Sequence, residues 1–238
     1  SADNTAGNAG AIELNARKTT LSTGTSRISA RADTQGTGGD IKILGAQVGL
    51  LDAAQVDASG AQGGGQVLIG GDKTGANSLI NNAEFTHVSE DTQLRADALH
   101  TGQAGKLIVF AEDSARIHGH LSVQGGEQGN GGFVETSGLK SLEVWNAPDI
   151  SAAGGTAGHW LIDPYNIEIV SSAVVRPDRI NTSNTYTNST LTQAVFTSRT
   201  DTAQIGWNTI RNVLDNGSGG TVEIKTSGGS NAGGTIKV

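Results

Sequence analysis

A glycine followed by a short alternating apolar run recurs six times along this chain, and few folds can accommodate that pattern. The copies read Gly10-Ala11-Ile12-Glu13-Leu14, Gly39-Asp40-Ile41-Lys42-Ile43, Gly65-Gln66-Val67-Leu68-Ile69, Gly105-Lys106-Leu107-Ile108-Val109, Gly132-Phe133-Val134-Glu135-Thr136 and Gly158-His159-Trp160-Leu161-Ile162. Their glycines are 29, 26, 40, 27 and 26 residues apart. The longest gap reads as one unit carrying an insertion near residues 73–90. A second run follows each of the first five: Arg27–Ala30, Gln55–Ala58, Gln93–Ala96, His120–Val123 and Asp149–Ala152. Apolar and polar residues alternate in it, as in a strand with one buried face.

A unit of about 26 residues with two or three short strands cannot bury its own apolar face. Stacked unit on unit, each strand pairs with its equivalent in the next, about 4.8 Å away. The expected fold is therefore all-β, a right-handed parallel β-helix, with the hand set by the rule for parallel crossovers. A β-sandwich also has short strands and glycine-rich turns, but rarely a fixed period. In the β-helix, Ile41, Val67, Ile108 and Val134 are expected to face inward and stack.

The chain has 238 residues, of which 35 are glycine, with only 4% aromatic and 16% charged residues. Thin, regularly spaced apolar content suits a narrow lumen better than a broad aromatic core. The net charge is –7 and the 16 Lys and Arg are scattered, which argues against nucleic acid. Zero cysteine excludes disulfides and thiolate metal sites. No apolar run is long enough for a membrane-spanning helix, and no signal peptide is legible. Zero methionine implies that Ser1 is a processed or trimmed end and that the chain is a piece of something longer.

Three regions are expected. Residues 1–170 carry the rungs. Residues 171–200, rich in Asn, Ser and Thr, read as a polar excursion. Residues 201–238 hold one short helix and resumed strands. Asp201, three before Gln204, predicts a capping box, with Ile205, Ile210, Val213 and Leu214 on one helical face and Asn216-Gly217 as the stop.

No catalytic constellation is legible. The five histidines, His87, His100, His118, His120 and His159, have no zincin-like or triad-like neighbourhood. His118 and His120 alternate across a glycine and are expected to share one solvent-facing strand face, without a third ligand. The acids Asp52, Asp57, Glu112 and Asp113 fall on different rungs and faces, unlike the clustered carboxylates of glycan-cleaving β-helices. Gly38-Gly39-Asp40 is a lone fragment of a calcium-repeat motif that needs tandem copies. The expectation is a non-enzyme with no metal and no cofactor. Asn181, Asn188 and Asn216 begin sequons and are the glycosylation candidates. Trp160 and Trp207 are expected to cap the solenoid's end rather than to stack on sugars.

Gly131-Gly132-Phe133-Val134-Glu135-Thr136-Ser137-Gly138, followed by Trp160-Leu161-Ile162-Asp163-Pro164-Tyr165-Asn166-Ile167, resembles a "GGFVETSG … WLIDPxNI" block of large Gram-negative exoproteins. These are the filamentous-haemagglutinin-like and high-molecular-weight adhesins of two-partner secretion. The likeness covers roughly residues 131–238, and the earlier rungs match in style. It implies a β-helical shaft outside the cell, exported unfolded through an outer-membrane two-partner transporter. Some relatives are sugar-modified on sequon asparagines. The Asn-Pro-Asn motif of the family's secretion domain and the Val-Glu-Asn-Asn boundary of its toxin-delivering members do not occur, so an internal or processed piece is expected.

The resulting expectation is a secreted or surface-exposed structural protein, the shaft segment of an adhesin that mediates attachment to cells or matrix. Its receptor, whether host-cell, polysaccharide or matrix, is not legible. One alternative is an extracellular filament or homo-oligomer joined head-to-tail through a bare terminal strand, Thr235, Ile236, Lys237 and Val238. Another is a module that captures a haem carrier or a polysaccharide.

Overall fold

The computed structural model describes residues 1–171, 203–215 and 219–226, and the backbone of 236–237. In chain order the strands begin with β1 (Ala11–Ser22), β2 (Arg27–Ser29), β3 (Asp40–Leu50), β4 (Gln55–Asp57), β5 (Gln66–Ile69) and β6 (Phe85–Val88). Then come β7 (Gln93–Arg95), β8 (Lys106–Ala111), β9 (Ser114–Ile117), β10 (His120–Ser122), β11 (Phe133–Gly138) and β12 (Ser141–Val144). The last are β13 (His159–Ile162), β14 (Ile167–Val170), β15 (Ala203–Gly206), β16 (Thr221–Ile224) and β17 (Ile236–Lys237), with one α-helix, α1 (Trp207–Leu214), before β16.

Strand pairing is parallel throughout, in a solenoid-like stack. A large curled sheet carries β1, β3, β5, β8, β11, β13 and β16 along one limb and β6, β9, β12, β15, β14 and β17 along the other. The long β3 belongs to both limbs. A separate sheet of β2, β4, β7 and β10 forms a third side, and the stretch from Asp149 to Ala152 extends it through two isolated bridges. This third side is the second run of each unit seen in the sequence. The middle strands β6, β9 and β12 have no glycine to announce them and were not separately legible.

The recurring glycines are explained by a column of corners. Each corner glycine donates its N–H to the end of the third side: Gly39 to Ala30 O (2.9 Å), Gly65 to Ala58 O (2.8 Å), Gly105 to Ala96 O (2.8 Å), Gly132 to Val123 O (2.9 Å) and Gly158 to Ile150 O (2.7 Å). Its carbonyl in turn accepts from the first strand residue one rung on, as Gly65 O does from Lys106 N (2.9 Å). A Cβ at Gly39, Gly65, Gly105, Gly132 or Gly158 would collide with the carbonyl oxygen of the corner glycine one rung before. The requirement is close backbone approach, and only glycine meets it at every level.

Between the sheets runs an apolar lumen. Along the first limb Ile12, Ile41, Val67, Leu107, Val134, Trp160 and Val222 stand in one register. Fully burying each such side chain contributes about 1.5–3 kcal/mol. The member at the fourth level is Leu107, not the expected Ile108. Strand alternation turns Ile108 to the opposite, outer face, paired between Leu68 and Glu135. Ile108 is nevertheless fully buried, in a second cluster with Leu68 and Phe110 that Ile80, Phe133 and Leu139 flank. Residues 70–84, the insertion in the long gap, lie over this patch. The insertion is shorter than residues 73–90, because β6 within that span is a regular rung strand paired with β3 and β9.

Beyond Ile162 the simple order breaks. β15 lies between β12 and β14, so a later segment takes the level next to β12 and β14 stands one level out. The helix starts at Trp207 with Gly206 as its N-cap and no side-chain cap. The expected capping box is not what starts it. Gln204 and Ile205 belong to β15, Asp201 lies outside the described residues, and Leu214 is exposed. Ile210 and Val213 are buried in the same core as Ile150.

Candidate functional site

The acids read from the sequence are dispersed, each with its own partner. Asp52 accepts from Gly24 N (2.8 Å), Glu112 from Asn82 Nδ2 (3.3 Å), and Asp113 from Lys140 Nζ (2.6 Å). Asp57 accepts from Arg31 Nη1 (2.6 Å). Among the described residues no group of three or more His, Asp or Glu side chains is arranged to hold a metal ion. Asn181, Asn188 and Asn216 lie outside the described residues, as do Thr235 and Val238. The backbone of Ile236–Lys237 pairs with β14 along one edge (Ile167 with Ile236, Glu168 with Lys237).

Trp160 and Trp207 depart from the capping expectation. Trp160 is fully buried in the lumen column, its indole Nε1 donating to Thr136 Oγ1 (3.0 Å). Trp207 opens the helix and is 47% exposed.

His118 and His120 do not share a face. His118 follows the end of β9 and is buried, whereas His120 starts β10 beyond a corner at Gly119 and is exposed. The His118 ring stacks on Trp145 (centroids 3.7 Å, 14° between planes) and meets His87 edge-on (5.4 Å, 87°). Its Nε2 lies 3.3 Å from Glu143 Oε2. His87, Arg116 and Glu143 occupy one register position on β6, β9 and β12, and His87 and Arg116 are buried. Burial, with His118 and Arg116 beside it, lowers the His87 pKa to about 3. Burial would raise Glu143, but His118, Trp145 and Arg116 together outweigh it and hold the carboxyl below its usual range. Sequence reasoning missed this cluster, since its members are about one rung apart and only the stacking order joins them.

A second buried polar site sits beneath the insertion. Glu135, on the outer face of β11, is fully buried. Its Oε1 accepts from Thr74 N (2.8 Å) in the insertion and from Ser137 Oγ (2.8 Å), while Oε2 is buried without a partner. Burial raises its pKa, and the nearby Asp163 adds to this. Asp72 accepts from Lys106 Nζ (3.1 Å), and Lys73 Nζ stands 4.9 Å from the centre of the Phe133 ring. These contacts strap the insertion to the sheet. The site is closed to solvent and fits a structural tie rather than a ligand.

The open site lies on the third side. Its outward positions form three columns across the rungs: Arg27, Gln55, Gln93 and His120; Ser29, Asp57, Arg95, Ser122 and Asp149; and Arg31, Ser59, Asp97, Gln124 and Ser151. Two hollows are set into this face. One of about 320 Å³ is lined by Gln93, Arg95, Asp97, His120, Ser122 and Gln124, among others. The other, about 80 Å³, lies between Arg27, Arg31, Gln55, Asp57, Gln93 and Arg95. Gln93 and Arg95 line both, so the hollows are adjacent along the face.

The carboxylates here are engaged in holding the face together. Asp57 Oδ1 accepts from Ser59 N (3.0 Å) while its Oδ2 takes Arg31. Asp97 Oδ1 takes Ser122 Oγ (2.7 Å) and Gln124 N (2.7 Å) of the next rung. Asp149 accepts from Ser151 N (3.1 Å) and from Gln124 Nε2. Burial raises the Asp97 pKa despite these donors. Gln55, Gln93, Arg95 and His120 are less committed. Arg95 Nη2 donates to Gln93 Oε1 (2.7 Å), and Gln55 and His120, both exposed, make no side-chain hydrogen bond among the described residues.

Comparison of the sequence with protein-family models and with curated proteins returns no match.

Proposed function

We propose that this chain is a non-enzymatic shaft segment of a surface-exposed or secreted exoprotein, folded as a right-handed parallel β-helix, whose work is attachment. The observation that carries the reading is the unbroken register from Ile12 to Val222 together with its column of corner glycines. A stack of this kind is quasi-one-dimensional: each rung contacts only its neighbours and adds about 4.8 Å of length. It holds a surface at a fixed distance and repeats side chains along one direction, which suits multivalent contact. The likeness of residues 131–167 to the two-partner-secretion adhesins supports the same reading, with an outer-membrane transporter as the export partner.

The purified chain should scatter X-rays as a rod, and beads coated with it should adhere to epithelial cells or to immobilised matrix above uncoated controls. In the source genome a neighbouring outer-membrane transporter gene is expected, with export lost when it is deleted. Beads that do not adhere, or export that survives the deletion, would overturn the attachment reading and the export reading respectively.

A further inference from the structure

We propose that the two adjacent hollows on the third side together form a glycan-binding groove for a linear, weakly charged polysaccharide laid along the stacking direction. This deepens the attachment reading and rests on it.

Three observations converge on that ligand. The first is geometric. A groove that crosses the rungs presents equivalent positions about every 4.8 Å, a step comparable to one extended pyranose unit. A polymer with a repeat therefore meets a surface with a matching repeat. Arg27, Gln55, Gln93 and His120 form such a series, one side chain per rung along the same column.

The second is chemical. The lining is rich in planar polar groups, the guanidinium of Arg95 and the amides of Gln55, Gln93 and Gln124. Such groups offer paired donors and acceptors in fixed geometry, which matches vicinal hydroxyls. Several lining side chains are already held by neighbours: Asp149 takes Gln124, Gln93 takes Arg95, and Asp57 takes Arg31. Side chains that are already ordered lose little entropy when they bind.

The third is electrostatic. Among the residues that line the two hollows, Arg27, Arg31 and Arg95 are matched in number by Asp57, Asp97 and Asp149. The groove carries no strong field of either sign, so it has no steering advantage for a polyanion. The partner it fits is a neutral or sparsely charged chain, bound weakly per sugar and strengthened by contact along several rungs.

The test is affinity electrophoresis of the purified chain in native gels containing galactomannan, xyloglucan or dextran, with heparin as the polyanionic probe. At least one neutral polymer should retard the protein, and added salt should leave that retardation nearly unchanged. Gln93→Ala and Arg95→Ala should each weaken the apparent affinity roughly tenfold, the effect of about one lost hydrogen bond. Gln93→Trp, which fills the junction of the two hollows, should abolish retardation. Lys42→Ala, on the first limb and away from the third side, should not change it. All four substitutions sit at partly or fully exposed positions, and thermal melts should confirm that each variant stays folded.

The groove assignment is overturned if no neutral polymer retards the protein, if only heparin does so and salt abolishes the effect, or if Gln93→Trp is retarded as strongly as the parent. The attachment reading is scored separately with coated beads. Beads that adhere equally with and without Gln93→Trp leave the shaft reading standing and overturn the groove as its contact. Beads that fail to adhere while gel retardation persists leave the groove standing and overturn the attachment reading.

Discussion

Two outer faces of the same stack have opposite fates. On the first limb the outward residues Leu68, Ile108 and Phe110 are apolar, and the insertion of residues 70–84 covers them. On the third side the equivalent outward positions are Arg, Gln, Asp and Ser, set in an open groove. Both faces hang on strands whose inner residues fill the same lumen. Alternation with period two thus decides what enters the core, while the chemistry of the off-beat positions decides whether a face is sealed or offered to a partner. A polar side chain on a sealed face must find partners within the protein, as Glu135 half does. On the open face water or a ligand can supply them.

The largest effect that tests this contrast comes from adjacent residues of one strand. Leu107→Asp puts a carboxylate in the lumen, where no partner waits and the rungs on either side depend on the contact. Such a group costs several kcal/mol, and no folded protein should be recovered. Ile108→Asp buries the same charge under the insertion, which can lift away. The stack should remain cooperative by circular dichroism, with a lowered melting temperature and new protease cleavage within residues 70–84. If Ile108→Asp is as damaging as Leu107→Asp, the lumen and the covered face are one core.

Acid response separates the two buried polar sites. His87 is held neutral, with His118, Arg116 and Glu143 around it. Its folded pKa lies below its unfolded one, so its contribution is intact above about 6.5 and is lost as pH falls towards 3. Each pH unit inside that window costs about 1.4 kcal/mol, a loss that His87→Gln should remove from the acid limb of a melting-temperature profile. Glu135 has the opposite sign. Its raised pKa means that stability is present below the ordinary carboxylate value and is lost as pH rises through the folded value. The melting temperature of Glu135→Gln relative to the parent should therefore improve from pH 4 to pH 7. A flat difference would show that Glu135 ionises freely and that the insertion does not seal it.

Much of this was legible in the sequence, and the errors have physical causes. The glycine spacing reports a column of close backbone contacts, and a contact that tight admits one residue type, so the stack and its third side could be read directly. The choice of Ile108 over Leu107 failed because both are apolar. Alternation is visible only when the off-beat residues are polar, and the insertion makes them apolar at this level. His118 and His120 were placed together because sequence spacing does not reveal a corner at Gly119. The helix starts later than the capping-box spacing predicts, because Gln204 still belongs to β15. The Glu135 tie and the groove were both invisible as sites, because their members come from separate rungs.

The smallest effects should distinguish the faces most finely. Gln55 stands on the open face with no side-chain partner among the described residues. Its truncation to Ala should change stability by no more than about 0.5 kcal/mol, as surface substitutions usually do. Ser137 is fully buried on the covered face and donates its hydroxyl to Glu135. Ser137→Ala removes fewer atoms than Gln55→Ala, yet it leaves Glu135 Oε1 with Thr74 N alone, and a buried polar group that loses a partner costs about 1–3 kcal/mol. Denaturant unfolding of the two variants side by side checks the ordering. A penalty for Ser137→Ala no larger than that for Gln55→Ala would mean that water reaches Glu135, and the two outer faces would then differ in composition without differing in burial.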